Sequence, residues 1–292
     1  MITSEKIKSL REKTGAGMMD CKKALVEVQG DLESAIDWLR KKGISTAAKK
    51  SSRDASDGLI TILQDESNIC ILEVNSETDF VARNDDFQDF CLKLSKTILS
   101  YKINKIGELL DLNFLDSDSK VADHLTNLIS KIGENLKISR FDVLSKSSND
   151  YFSSYIHNAV NQNSGKIGVI LKVNSTKNFS NIDIFLKNIA MHIAALDPKS
   201  VGEDDLDQEL ISREKSIYLE QLTKSGKPKD IQNKILEGKI KKFFEEVCLV
   251  KQSFVMDNKI TIQEYIDAEK KKNDCDILIE SFKFYKVGES VK

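Results

Sequence analysis

The chain has 292 residues, a formal net charge of −2 at pH 7 and 31% charged residues. This length suits about two domains of ordinary size, and the nearly balanced charge argues against a dedicated nucleic-acid binder. No apolar run approaches the roughly 20 residues that a membrane-spanning helix needs, and the first residues lack the apolar stretch of a signal peptide. We therefore expect a cytoplasmic protein with no direct contact to nucleic acid or membrane.

The cysteines and histidines show no pattern of a metal site. The five cysteines are scattered without a C-x-x-C pair, and the three histidines lack the spacing of metal ligands. The chain has no G-x-x-x-x-G-K-[ST] sequence for a phosphate-binding loop, and no nucleophile, base and orienting group stand out together. We expect no metal, no cofactor and no covalent catalysis.

The first 42 residues predict three short helices. Aspartate 31 is a good N-cap for the third helix, and Gly43 suits its C-terminal cap. Apolar residues on the second helix form one stripe at i, i+3, i+7 and i+10, namely Met18, Cys21, Leu25 and Val28. We predict a three-helix domain over residues 1–42 and a linker of small, polar and basic residues over 43–57, with a partly helical linker around Ala47 to Lys50 as the alternative to an irregular one.

The remainder of the chain contains a weak internal repeat. In the first half, strand-like runs at 59–63 and 68–74 precede a helix whose apolar stripe begins at Phe87, and a strand at 136–144 closes the half. In the second half, a strand at 166–174 precedes a helix through Ile182 and Ile193, and a strand at 277–287 closes it. This predicts an α+β core with an N-lobe at 58–145 and a C-lobe at 146–292.

A strongly charged segment at about 203–247 interrupts the second lobe. Two helical arms are separated at 224–230, where Gly226 and Pro228 should break a helix. A narrow apolar seam on charged helices is typical of an antiparallel helical hairpin.

The stretch from Thr78 to Phe87 places an acidic residue beside an aromatic one, between a strand and a helix. Such junctions often carry function. Pattern alone favours Phe80 as a core aromatic, with a partner-directed wedge as the alternative. Asp79 could instead be only a local helix cap. Phe87 opens the apolar stripe of its own helix and is expected in the core.

Several short motifs along the chain point to one known family. The run at 10–25, LREKTGAGMMDCKKAL, and the run Thr78-Asp79-Phe80-Val81-Ala82 resemble the start and the signature of the bacterial elongation factor Ts family. Further matches follow in family order and span nearly the whole chain: Gly133-Glu134-Asn135, Tyr155-Ile156-His157, Ile167-Gly168-Val169, Met191-His192-Ile193-Ala194-Ala195, Ser225-Gly226-Lys227-Pro228 and Phe254-Val255-Met256.

The resemblance implies a guanine-nucleotide exchange factor for the GTPase elongation factor Tu in translation elongation. It implies that GDP release is promoted by disturbing the Mg²⁺ and phosphate site of that GTPase. It also implies an N-terminal domain like the ubiquitin-associated domain, and a helical-hairpin dimerisation module of coiled-coil type through which the chain could self-associate, contact the GTPase, or do both.

Residue by residue, the resemblance places Thr78, Asp79, Phe80 and Val81 against the helices that support the partner's Mg²⁺ site. The adjacent methionines Met18 and Met19 cannot share one helix face, so one should pack inward and the other lie exposed; the exposed one, with Arg11, is implied to contact the nucleotide-binding domain.

Two roles are open for each of two histidines, His157 and His192. His157 is implied to lie near the phosphate loop of the partner, or is a hydrogen-bonded loop histidine. His192 is implied to lie near the partner's third domain, or is a satisfied interior histidine. An adaptor that binds ubiquitin-like or RNA-linked partners through the three-helix unit is the competing function.

Overall fold

The structure, a computed structural model, describes residues 2–103, 105–224 and 228–289. Its helices are α1 (Ser4–Thr14), α2 (Met18–Glu27), α3 (Leu32–Lys50), α4 (Asp79–Ala82), α5 (Asp85–Tyr101), α6 (Ile106–Leu109), α7 (Val121–Ile132), α8 (Ile182–Leu196), α9 (Gln208–Lys224), α10 (Lys229–Val247) and α11 (Ile262–Asn273). Its strands are β1 (Asp57–Gln64), β2 (Asn68–Ser76), β3 (Leu136–Ser145), β4 (Asp150–His157), β5 (Ser164–Gly165), β6 (Ile167–Ser175), β7 (Ser253–Phe254), β8 (Asp257–Thr261) and β9 (Ile277–Lys286).

The fold mixes helix and sheet and divides into two compact units. Unit 1 comprises Met1–Ser145, Ile156–Gly168 and Tyr285–Lys292, and unit 2 comprises Lys146–Tyr155 and Val169–Phe284, as far as these residues are described. No helix in the described part of the chain combines the length and apolar character needed to cross a membrane.

Helices α1 to α3 open unit 1 and enclose a small core. Leu10, Cys21 and Leu25 are fully buried at its centre. The side chain of Asp31 accepts a hydrogen bond from the backbone N–H of Ser34 at 2.8 Å, so its predicted role as the N-cap of α3 is confirmed. Gly15 ends α1 in the left-handed conformation, at φ 68°.

Helix α3 continues well past the point where the sequence predicts its end. Gly43 lies buried inside the helix, which ends at Lys50, so its predicted role as a C-terminal cap is wrong and residues 43–50 of the predicted linker are helical. The physical reason is a packing partner that the sequence pattern did not reveal. Helix α7 lies against this part of α3, with Thr126 and Ser130 facing Gly43.

An antiparallel four-stranded sheet of order β3-β2-β1-β5 forms the centre of unit 1. Helix α5 packs on β1 and β2. Its residues Phe87, Leu94 and Ile98 are fully buried, as the apolar stripe predicts. The predicted strand–strand–helix–strand order of the first half is therefore confirmed in β1, β2, α5 and β3.

Unit 2 is built around the sheet β4-β6-β9 and helix α8. The predicted strands β6 and β9 and the predicted helix α8 are present. The sequence pattern missed β4, because Ser153 and Ser154 interrupt its apolar alternation.

Two charged helices, α9 and α10, pack against each other in unit 2. Ile211, Leu222 and Phe243 are buried along them. The ammonium of Lys239 lies 4.7 Å from the centre of the Tyr218 ring and 3.1 Å from Gln221 Oε1. The predicted helix break at Gly226 falls in 225–227, outside the described residues.

A buried ionic cluster lies within unit 2. Asp150, which is 2% exposed, accepts hydrogen bonds from Asn174 Nδ2 at 2.8 Å and from the backbone N–H of Ser147 at 2.6 Å. Lys172 Nζ lies 3.0 Å from Asp150 and 2.8 Å from Glu280. Burial alone would raise the pKa of Asp150, but these donors and the ammonium group outweigh burial and lower that pKa to about 2.

We predict that Gly43→Ala stabilises the protein by roughly 0.5–1 kcal/mol, because alanine favours a helix interior over glycine. An added Cβ would lie 3.4 Å from Ser130 Oγ, an ordinary contact. Gly15→Ala is the matched control and should destabilise by about 1 kcal/mol, because its φ of 68° strains a side chain. Urea unfolding measures both changes; a loss of stability in Gly43→Ala would contradict the continuous helix.

We predict that Asp150 stabilises the fold above pH 4 and that this contribution disappears as the pH falls from about 4 towards 2. The folded pKa is depressed to about 2, whereas the unfolded chain binds its proton near pH 3.9. Urea unfolding at pH 5 and pH 3 should show a smaller acid loss in Asp150→Asn than in the wild type. Equal losses would mean that Asp150 carries no depressed pKa.

Candidate functional site: an exposed phenylalanine on an anchored turn

Residues 78–83, here called the Phe80 turn, connect the end of β2 to the start of α5 through the single helical turn α4. Val81 and Ala82 face the core of unit 1 and are buried, so the implied contact of the Val81 side chain with a partner is not available in this structure. Phe80 is 79% exposed. Because successive residues of a helical turn point in different directions, burial of Val81 and Ala82 leaves Phe80 directed at solvent. The pattern-based expectation that Phe80 is a core aromatic is wrong.

The N-terminal side of the Phe80 turn is held by side chains from two other segments. The carboxylate of Glu134 accepts hydrogen bonds from both the backbone N–H and the hydroxyl of Thr78, at 3.0 and 2.7 Å. The Ser76 hydroxyl donates to the carbonyl of Thr78 at 2.9 Å. Thr78 is thus fixed at its amide, hydroxyl and carbonyl groups.

The C-terminal side is held by the start of α5. Asn84 caps α5 by accepting a hydrogen bond from the backbone N–H of Phe87 at 3.2 Å, and the Phe87 ring is fully buried as predicted. Gln88 Nε2 donates to the carbonyl of Ala82 at 3.0 Å. Asn161 Nδ2 donates in turn to Gln88 Oε1 at 2.7 Å. Both ends of the turn are therefore fixed to the body of unit 1.

Asp79 is exposed and its side chain makes no hydrogen bond or ion pair with any described residue. Thr78 occupies the N-cap position of α4 and Asn84 caps α5, so the alternative that Asp79 serves as a local helix cap is wrong. Its carboxylate can accept hydrogen bonds from a partner. Beside Phe80 lies a recess of about 370 Å³ bordered by Asn84, Asp86, Lys131, Ile132 and Glu134.

A second carboxylate lies directly before the Phe80 turn. Glu77 Oε1 accepts a hydrogen bond from the backbone N–H of Asn135 at 2.6 Å, and the Arg53 guanidinium lies 3.4 Å from the Glu77 carboxylate. The Asn135 N–H, helped by Arg53, lowers the pKa of Glu77 below its ordinary value. Glu77 is therefore ionised at neutral pH.

The two methionines are both exposed, Met18 at 59% and Met19 at 74%. The prediction that one packs inward is wrong. They occupy the first turn of α2, where side chains lean towards the N-terminus and beyond the helix end. The buried stripe begins only at Cys21. Arg11, in the last turn of α1, is also exposed, and the short turn at 15–17 separates α1 from α2.

His157 ends β4 and is exposed. Its carbonyl accepts a hydrogen bond from the backbone N–H of Lys166 at 3.2 Å. The segment between them folds back on unit 1, because Ser164 and Gly165 pair with β1 as strand β5. The side chain is accessible to a partner and has an interaction within the protein as well.

His192 is fully buried in unit 2. Its Nδ1 accepts a hydrogen bond from the backbone N–H of Val255 at 3.2 Å, so the protonated Nε2 donates to Gln252 Oε1 at 2.9 Å. Burial lowers the pKa of His192, which keeps the ring neutral. Direct contact of His192 with a partner is therefore excluded in this structure. The satisfied interior histidine is the correct alternative, and it supports the backbone beneath the half-exposed Val255 and Met256.

Within residues 2–103, 105–224 and 228–289, no group of three histidine, cysteine or acidic side chains is arranged to hold a metal ion. Unit 1 contains the Phe80 turn, Arg11, Met18, Met19 and His157, whereas His192 lies in unit 2. The sequence pattern did not identify Glu134 as the residue that binds Thr78. Glu134 belongs to the Gly133-Glu134-Asn135 match, but that match implied no role for its side chain.

Known proteins of one family are similar to this chain along its whole length. Residues 77–289 match the family described as Elongation factor TS. The elongation factor Ts of Magnetococcus marinus is 40% identical over 291 residues, which cover 100% of this chain and 94% of that protein. Those of Rickettsia felis and Rickettsia bellii are 41% and 42% identical over 292 residues, each covering 100% of this chain and 93% of the relative. The chain therefore belongs to the elongation factor Ts family.

Proposed function

We propose that this chain is a guanine-nucleotide exchange factor for elongation factor Tu in translation elongation, and that it promotes GDP release by disturbing the Mg²⁺ and phosphate site of the GTPase. Membership of the elongation factor Ts family implies the exchange activity, which breaks no covalent bond. The observation that supports the finer mechanism is the 79% exposure of Phe80 on an anchored turn.

In nucleotide exchange, binding of the factor to the GTPase and binding of GDP to the GTPase are thermodynamically linked. A factor that binds the nucleotide-free GTPase more tightly than the GDP form must weaken GDP affinity by the same ratio. Each tenfold of weakening requires about 1.4 kcal/mol of differential contact. Much of the nucleotide affinity of a GTPase comes from phosphate cradling and the bound Mg²⁺, so displacing the elements that support the ion has strong leverage.

Phe80 is suited to supply that differential contact. Full burial of a phenylalanine side chain is worth roughly 1.5–3 kcal/mol, or about one to two orders of magnitude in affinity. If the ring is buried only when the Mg²⁺-supporting helices have moved, this free energy opposes GDP binding. The exposed carboxylate of Asp79 adds hydrogen-bond acceptors beside the ring, and the flanking Thr78 and Val81 keep the pair in place.

Further contacts extend this interface. Arg11, in the last turn of α1, and Met18 and Met19, in the first turn of α2, are all exposed. We assign them to the nucleotide-binding domain of the partner, because exposed methionines adapt well to a partner surface. We assign His157 to the region of the phosphate loop.

The remaining assignments concern architecture. We propose that α1 to α3 form a domain like the ubiquitin-associated domain, with the linker after it and the core lobes at 58–145 and 146–292. We propose that α9 and α10 form an antiparallel hairpin of coiled-coil type through which two copies of the chain associate. The protein acts in the cytoplasm, where elongation takes place.

We predict that Phe80→Ala lowers the maximal rate of GDP release from elongation factor Tu by about 10- to 100-fold, the loss expected for one buried phenylalanine. Stopped-flow release of fluorescent GDP measures the rate, and thermal unfolding checks the fold. Tyr101→Ala removes an aromatic of 47% exposure from the far end of α5 and serves as the matched control. Undiminished stimulation by Phe80→Ala would refute the wedge.

We predict that Met19→Ala raises the factor concentration needed for half-maximal GDP release by about three- to tenfold, because it removes apolar contact area, while the maximal rate stays close to wild type. Val26→Ala, on the same helix and 55% exposed, is the control and should change neither value. A titration of release rate against factor concentration separates the two parameters. A Met19→Ala curve that overlays the wild-type curve would remove α2 from the interface.

A further inference from the structure

The loop between α7 and β3 makes an unusual set of contacts with the Phe80 turn. Its residues Gly133, Glu134 and Asn135, here called the 133–135 bracket, bind two neighbouring segments, namely residues 50–53 at and after the end of α3 and residues 77–78 before Phe80. The carbonyl of Gly133 accepts a hydrogen bond from Lys50 Nζ, at the end of α3. Asn135 Nδ2 donates to the carbonyl of Arg53 at 2.8 Å.

The bracket and the segment before Phe80 exchange hydrogen bonds in both directions. Glu134 accepts from the backbone N–H of Thr78, and Glu77 accepts from the backbone N–H of Asn135. The neighbours Glu77 and Thr78 thus bind the neighbours Asn135 and Glu134, respectively, and each segment supplies one carboxylate and one backbone N–H. A carboxylate that accepts backbone N–H groups makes stronger hydrogen bonds than a neutral acceptor does, so this crossed pair fixes the register of the two segments.

The hydroxyl of Thr78 bonds to Glu134 and not to its own helix. Threonine at an N-cap position ordinarily accepts a hydrogen bond from its own helix. Thr78 makes no such bond to α4 and donates its hydroxyl to Glu134 instead. A helix of four residues has too few internal hydrogen bonds to persist alone. The external carboxylate therefore holds the turn that carries Phe80.

We propose that Glu134 is the positioning residue of the exchange site: its carboxylate pre-orders the Phe80 turn so that the Phe80 ring meets the partner without first being immobilised. This inference rests on the proposed exchange function. Ordering a loop during binding consumes free energy that otherwise acts on the partner. Loosening Thr78 should therefore reduce exchange even though Phe80 itself is intact.

The test combines Glu134→Gln with Phe80→Ala in a double-mutant cycle of GDP release from elongation factor Tu. Glu134→Gln keeps the shape but loses the charge and one acceptor, and we expect the maximal rate to fall about tenfold. In the Phe80→Ala background the same substitution should cause no further loss, because the residue acts through Phe80. Asp89→Asn removes a charge from the exposed face of α5, where Asp89 pairs with Lys93 at 2.8 Å, without touching Thr78 or the recess, and should leave the rate unchanged.

Thr78→Val provides an independent variant if Glu134→Gln impairs folding. It removes only the hydroxyl donor, so we expect a smaller loss in the same direction, again absent in the Phe80→Ala background. A wild-type rate in both single variants, or losses that multiply with that of Phe80→Ala, would overturn the positioning role while the exchange function stands. A wild-type rate in Phe80→Ala alone would instead overturn the wedge role of Phe80, and this inference with it, while the exchange activity of the chain would stand.

Discussion

The proposed exchange site depends on the contact between the Glu134 carboxylate and Thr78, because this contact holds the backbone beneath the exposed Phe80. Burial of Val81 and Ala82 fixes the other face of the turn. Leaving a phenylalanine in water forgoes roughly 1.5–3 kcal/mol of burial free energy. In the proposed complex that free energy is recovered against the GTPase, where it opposes nucleotide binding.

The rest of unit 1 provides the stiffness on which this contact depends. Helix α3 packs on α7, and Lys50 at its end reaches the carbonyl of Gly133, next to Glu134. On the other side, Gln88 and Asn161 tie the end of the turn to α5 and the segment before β5. In the described part of the chain, no buried side-chain nitrogen or oxygen lacks a hydrogen-bond partner. Such complete pairing favours one well-ordered arrangement over several.

The sequence predicted the regular elements well where their apolar periodicity was strong, as in α5, whose stripe begins at Phe87. It failed where tertiary contacts override local signals. The local sequence predicts Gly43 as a helix cap, because it does not show that α7 packs on this part of α3. It predicts Phe80 as a core residue, because it does not show that Val81 and Ala82 occupy the inward positions. His192 needed the neighbours Gln252 and Val255, some 60 residues away in the chain, to be recognised as a satisfied interior group. No local pattern pairs Glu134 with Thr78, because 56 residues separate them.

Weakening of GDP binding through the Mg²⁺ site of elongation factor Tu is the core of the proposed function. Its most direct test is the release rate of fluorescent GDP, with and without a saturating amount of the wild-type chain, first in excess Mg²⁺ and then with the ion removed by a chelator. We predict a large acceleration in Mg²⁺ and a much smaller one after chelation, because the ion's contribution to GDP affinity has then already been lost. Equal acceleration under both conditions would contradict it.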